Sequence, residues 1–181
     1  MSLFITTQDT PNPNALKFIL AKDVKASGKI SYHHPAECLN VPLASHLLGI
    51  SGVSQIHLFE NVVTVTQDGS RNWPDLEFEV VERLKMDMPS HDANFEVAVE
   101  QRPKHTDPDL LKIDEILDRS IRPGLQADGG DVQVIELTNN LLTIKYEGAC
   151  GSCPSSREGT LSAIEGILRN EFRDTLEIVA I

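Results

Sequence analysis

Three observations predict an α+β protein built from two small domains. Strand-like stretches and single helices follow one another in the order ββαββα along the first hundred residues. A polar, proline-containing stretch then breaks the pattern, and the remainder reads αββαβ. With 181 residues the chain has room for one large domain or two small ones. The expected boundaries are 1–100 for the first domain, 101–106 for a linker and 107–181 for the second domain.

The elements follow in chain order. Leu3 to Thr7 and Ala15 to Leu20 read as strands, with Leu16, Phe18 and Leu20 alternating, and Thr10-Pro11-Asn12-Pro13-Asn14 between them is turn chemistry. Pro42 starts a helix whose apolar stripe is Leu43, Leu47 and Leu48 and which stops at Gly49. Val53 to Phe59 and Val62 to Thr66 form a hairpin around Glu60-Asn61. A second helix runs from about Pro74 to Met86, with Leu76, Val80 and Leu84 on one face. Phe95 to Val99 is expected to add a last strand before the linker.

In the second domain Asp107-Pro108 opens a helix, Asp as N-cap and Pro in the first helical position, and Leu110, Ile113, Leu117 and Ile121 recur at helical spacing. Pro123 should end or bend it, and Asp128-Gly129-Gly130 is a turn. Asp131 to Leu137 and Leu141 to Tyr146 form a hairpin around Asn139-Asn140. Ser156 to Phe172 is a helix with Leu161, Ile164, Leu168 and Phe172 inward; Ser155 and Glu158 have the spacing of a capping box at its start. Leu176 to Ile181 closes the sheet.

Composition narrows the function. A net charge of −11, spread over both halves, argues against nucleic acid and against anionic membrane surfaces. No apolar run has the length of a membrane span, and Met1 to Leu20 shows neither a basic n-region with an apolar core nor the pattern of an Arg-rich amphipathic presequence. The three cysteines, Cys38, Cys150 and Cys153, suit a reducing compartment better than a disulfide framework. The expected location is cytoplasmic, with a mature mitochondrial matrix protein as the alternative.

Chemistry concentrates in Gly148-Ala149-Cys150-Gly151-Ser152-Cys153-Pro154. Two sulfurs at Cys-x-x-Cys spacing can share a metal centre or close into a disulfide. The neighbouring Gly, Ala and Ser leave nothing bulky over them, so both thiols are expected to be exposed. The helix start that follows favours thiolate through its partial positive charge.

Four readings of the pair stand side by side. A pair of small core residues fits poorly with Gly151, Ser152 and Pro154, which describe a loop. A thioredoxin-like redox pair wants a βαβ unit with a parallel sheet, whereas here a hairpin arm precedes the thiols. A structural zinc needs four ligands, and the six histidines all precede residue 107 and read as hydrogen-bonded or surface residues. An iron–sulfur cluster needs four thiolates, which two chains related by a two-fold axis supply.

Leu125-Gln126-Ala127-Asp128-Gly129-Gly130-Asp131-Val132, with the thiol run Gly148 to Ser156, closely resembles the NifU-like C-terminal domain of Nfu-type iron–sulfur proteins. Thr10 to Phe18, Pro42-Leu43-Ala44, Val62 to Val65 and Trp73 resemble the Nfu N-terminal domain. The resemblance implies a non-enzymatic scaffold or carrier. It would hold a [4Fe–4S] cluster on Cys150 and Cys153 across a homodimer, receive it from an upstream donor and pass it to apo-proteins. Cys38 matches no family ligand, and Gly151-Ser152 stands where relatives often have Ser-Gly. Asp128 and Asp131 are expected to shape the turn through Asx-type hydrogen bonds. A dithiol–disulfide oxidoreductase using the same thiols is the alternative function, and a zinc-bridged dimer a third.

Overall fold

The computed structural model describes residues 4–96, 105–151 and 154–181, and for residues 154–157 the backbone alone. The chain divides into two compact units, Met1–Ala98 and Val99–Ile181.

The first unit runs β1 (Ile5–Asp9), β2 (Ala15–Leu20), β3 (Lys25–Tyr32), α1 (Pro42–Leu48), β4 (Val53–Glu60), β5 (Val62–Gln67) and α2 (Trp73–Asp87). Its sheet has the order β1-β2-β5-β4-β3, with every pair antiparallel. Phe18, Ile30, Ile56, Leu58, Val63 and Val65 from the strands share a core with Leu43 and Leu47 of α1 and Leu76, Val80 and Leu84 of α2. Each such side chain stabilises the fold by about 1.5–3 kcal/mol relative to exposure. The turn before β2 is held by Asn12 Oδ1, which accepts from Asn14 N–H at 2.9 Å, and by Trp73 Nε1, which donates to Pro13 O at 2.8 Å.

Two features of this unit differ from expectation. Strand β3 was not foreseen. Lys25, Lys29 and Ser31 blur its alternation, and Gly28 at φ 71° lies where the register shifts between Lys25 and Lys29. It pairs only with β4, at the sheet edge, where lysines are tolerated because one side needs no partner strand. The strand expected over Phe95–Val99 does not begin as one: Phe95 and Glu96 are not in a strand, and 97–99 lie outside the described residues. Phe95 instead turns back to β3, its ring 4.6 Å under Lys25 Nζ.

The second unit runs α3 (Pro108–Ser120), α4 (Arg122–Ala127), β6 (Gly130–Thr138), β7 (Leu141–Gly148), α5 (Pro154–Glu171) and β8 (Glu177–Ala180). Asp107 caps α3, its side chain accepting from Asp109 N–H at 2.8 Å. The break at Ile121, with Pro123 in the next turn, makes α4 a separate short helix. The hairpin turns at Asn139, whose φ of 58° is the left-handed region that Asn tolerates. β6 and β7 are antiparallel, whereas β8 lies parallel to β7, reached by the α5 crossover. Ile113, Leu117, Val132, Val134, Leu142, Ile144, Tyr146, Ile164, Leu168 and Leu176 form the core. Because α5 starts at Pro154, Ser155 lies inside the helix and not at its N-cap, so the expected capping box is displaced. No helix among the described residues is long and apolar enough to cross a membrane.

Candidate functional site

The site is built where β7 ends against the start of β6. Gly148 pairs with Gly130, Ala149 N–H donates to Gly129 O at 3.1 Å, and Gly151 N–H closes a turn onto Gly148 O at 3.1 Å. This folds the backbone back over the first residue of β6 and lowers Cys150 onto it. A Cβ added at Gly130 would lie 2.5 Å from Cys150 Sγ and 2.7 Å from Glu147 O, far inside van der Waals contact. Only glycine at 130 lets the thiol sit there.

Cys150 is 7% exposed and packs into the core with Tyr146. The expectation of two open thiols therefore fails for Cys150, because the strand end is pressed onto Gly130 and does not loop into solvent. Cys153 lies outside the described residues. In sequence it immediately precedes Pro154, the first residue of α5. The oriented N–H groups and partial positive charge of that helix end favour an anionic sulfur.

Beneath Gly130 lies a charge cluster. Asp131 is 0% exposed; its Oδ1 accepts from Val132 N–H at 2.6 Å and its Oδ2 from Gln126 Nε2 at 2.9 Å. Arg122, 1% exposed, places Nε 3.5 Å from Asp131 Oδ1 and donates to Val132 O at 3.2 Å. Its terminal nitrogens reach Asp114 Oδ1 and Asp118 Oδ1, the latter at 2.6 Å. Burial alone would lower the Arg122 pKa, but the Asp114 and Asp118 carboxylates more than offset it, and the pKa is raised. Asp131 is thus a structural residue, its buried ion pair with Arg122 tying α4 to β6. Asp128 is exposed at the C-terminal end of α4. Sequence reading passed over Arg122; the signal was present in Asp118 and Asp114, four and eight residues before it.

The remaining candidates fall elsewhere. Cys38 is in the first unit, 0% exposed behind the turn Pro35–Glu37, its Sγ 3.5 Å from Pro35 O. Burial, with the Glu37 carboxylate adding to it, pushes its thiol up to about 11. Ser31 Oγ and His57 Nδ1 lie 2.8 Å apart, and His91 Nε2 is 2.8 Å from Val24 O, in line with hydrogen-bonded histidines. His105 belongs to the second unit, contrary to the expectation that all six stand apart from it. Its Nε2 is 3.1 Å from Val134 O and 3.8 Å from Asp114 Oδ2. Among the described residues no three His, Cys, Asp or Glu side chains are grouped to hold a metal ion.

The β7–α5–β8 crossover also corrects one expectation about chemistry. The Cys-x-x-Cys run does sit in a βαβ unit with a parallel pair, as a redox dithiol would require. The described residues contain no cis peptide bond of the kind a thioredoxin-like site places opposite its disulfide.

Comparison with known proteins decides the family. Residues 5–91 match the family "Scaffold protein Nfu/NifU N terminal", and residues 113–179 match the "NifU-like domain". The human "NFU1 iron-sulfur cluster scaffold homolog, mitochondrial" is 33% identical over 92% of this chain and 67% of its own length. The protein of the same name from Drosophila persimilis is 32% identical over 93% of this chain and 61% of its own. "NifU-like protein 5, mitochondrial" from Arabidopsis thaliana is 30% identical over 92% and 64%. The chain thus spans roughly three-fifths to two-thirds of the length of these relatives. With both domains matched in order and a third of its residues shared with the human protein, this chain belongs to the Nfu/NifU scaffold family.

Proposed function

We propose that this protein is a non-enzymatic iron–sulfur scaffold and carrier. Two protomers hold a [4Fe–4S] cluster on Cys150 and Cys153 of each and deliver it to apo-proteins. The observation that carries the reading is the seat of Cys150 at the β7 end, leading through Cys-x-x-Cys into the start of α5. The donor set fits the cargo: soft thiolate ligands, with the helix-start amides available to an anionic centre. One chain brings two such thiols against the four a cluster needs, which supports sharing between two chains. Release follows by ligand exchange, an acceptor's thiolates replacing Cys150 and Cys153 on irons held by short loops. Reduced thiols of this kind require a reducing compartment. The cytoplasm meets that need, as does the mitochondrion, the location carried by the relatives' names.

A second reading is favoured by the βαβ crossover: a dithiol–disulfide oxidoreductase using the same pair. Anaerobic reconstitution followed by iron, sulfide and size analysis separates the two. The expected result is about four irons and four sulfides per dimer. Cys150→Ser abolishes stable binding with the fold retained, while Cys38→Ala takes up the same iron as the parent. A monomer holding a full cluster overturns the shared site, and thiols that cycle a disulfide without taking up iron favour the oxidoreductase.

A further inference from the structure

We propose that Arg122 is a positioning residue for Cys150, acting through buried Asp131 to fix the backbone on which the thiol rests. The inference builds on the reading of Cys150 as a cluster ligand. The chain of contacts is short and continuous. Arg122 ties Asp114 and Asp118 of α3 to Asp131 and Val132 of β6, and Gln126 of α4 holds the other Asp131 oxygen. The residue before Asp131 is Gly130, which pairs with Gly148 and meets Cys150 Sγ with no room for a single added carbon. Any shift in the first two residues of β6 is therefore passed directly to the sulfur.

Chemistry explains why this place carries an arginine. A guanidinium offers five donors in a fixed planar fork and can hold several acceptors at once; a lysine ammonium has three on a flexible stem. A buried ion cluster gives little stability over apolar packing, but it allows one arrangement of its partners where apolar side chains allow several. A ligand to a shared cluster needs that single arrangement, because the partner chain's ligands must meet it at fixed distances.

The test uses the full apo-chain in a Cys153→Ser background, with iodoacetamide alkylation of Cys150 followed by peptide mass spectrometry. Thermal midpoints are recorded alongside. The variants are Arg122→Lys, Arg122→Met, Arg122→Met paired with Asp131→Asn, Gly130→Ala, and Ile164→Val as a core change outside the brace. The double variant removes both fully buried charges together, so the test survives if Arg122→Lys fails to fold. Expected is an increase of about tenfold in Cys150 alkylation for Gly130→Ala and for every Arg122 variant, with less than about a twofold change for Ile164→Val. The double variant is expected to recover thermal midpoint relative to Arg122→Met alone without recovering Cys150 protection. Unchanged alkylation in the Arg122 variants overturns the proposal, as does a change no larger than that of Ile164→Val at matched thermal loss. Iron plays no part in this measurement, so failure of the parent chain to bind a cluster would show separately.

Discussion

Cys38 and Cys150 are both buried, in different units and against different neighbours. Cys38 sits behind a short turn, facing the carbonyl oxygens of Pro35 and His34 with the Glu37 carboxylate nearby. Everything around it disfavours the thiolate, and its pKa rises to about 11. Cys150 rests on a glycine at the end of a strand, three residues before Cys153 and four before a helix start. Burial therefore does not distinguish a structural thiol from the one proposed to hold a cluster. The distinguishing feature is what lies against the sulfur: carbonyl oxygens beside a carboxylate for Cys38, a glycine with no side chain for Cys150.

The comparison breaks most sharply at Arg122. Arg122→Met leaves Asp131 buried without its guanidinium, and loss of one member of such a pair costs about 3–5 kcal/mol. Urea unfolding should show that loss in the second unit only. Trp73, the chain's one tryptophan, reports the first unit and should melt unchanged by fluorescence. A coincident shift of the tryptophan signal would mean that the two units unfold together.

Raising the pH sharpens the comparison from the other side. The Cys38 thiol has a pKa of about 11 in the fold against an ordinary 9.0, so the folded state holds its proton more tightly than the unfolded chain. That contribution is complete below pH 9 and is lost as pH rises through 11, about 3 kcal/mol at most from two pH units at 1.4 kcal/mol each. Tyr32, pushed up to about 12 by burial and by Cys38 and Glu37, extends the loss at higher pH. Stability measured by Trp73 fluorescence should fall between pH 9 and 11 in the parent and fall less in Cys38→Ala. An equal fall in both would exclude the thiol as its source.

The smallest effects are the caps. Asn72 accepts from Asp75 N–H at 3.1 Å in the first unit, and Asp107 from Asp109 N–H at 2.8 Å in the second. Alanine at either should cost about 1 kcal/mol, each confined to its own unit's unfolding transition.

Much of this was legible in the sequence wherever the signal is local. Asp107-Pro108 announced α3, Pro42 and Gly49 bracketed α1, and Asn139-Asn140 marked the hairpin of the second unit. Strand β3 was hidden because its place depends on pairing with β4, over twenty residues further along. The direction of β8 was hidden for the same reason: weak alternation suggests a strand but not which way it runs. At the site, the thiols themselves were plain. The seat of Cys150 was not, since it is made by Gly130, twenty residues earlier in the chain. The Arg122 cluster lay between these cases: its two helical aspartates follow a readable spacing, while Asp131 joins only through the packing of α4 on β6.

Among the described strands, β7 and β8 form the one parallel pair. A tight turn cannot close such a pair; the whole of α5 must be laid across the sheet before β8 can dock. Helices α3 and α4 and the β6–β7 hairpin close over short separations and belong to the fast part of folding, whereas β8 belongs to the slow part. In sequence the two cysteines stand at the joint between them, Cys150 two residues past the end of the hairpin and Cys153 immediately before Pro154, where the crossover helix begins. The seat of Cys150 rests on pairings within the hairpin, whereas the helix that follows Cys153 is held to the sheet by a strand that pairs about 36 residues along the chain.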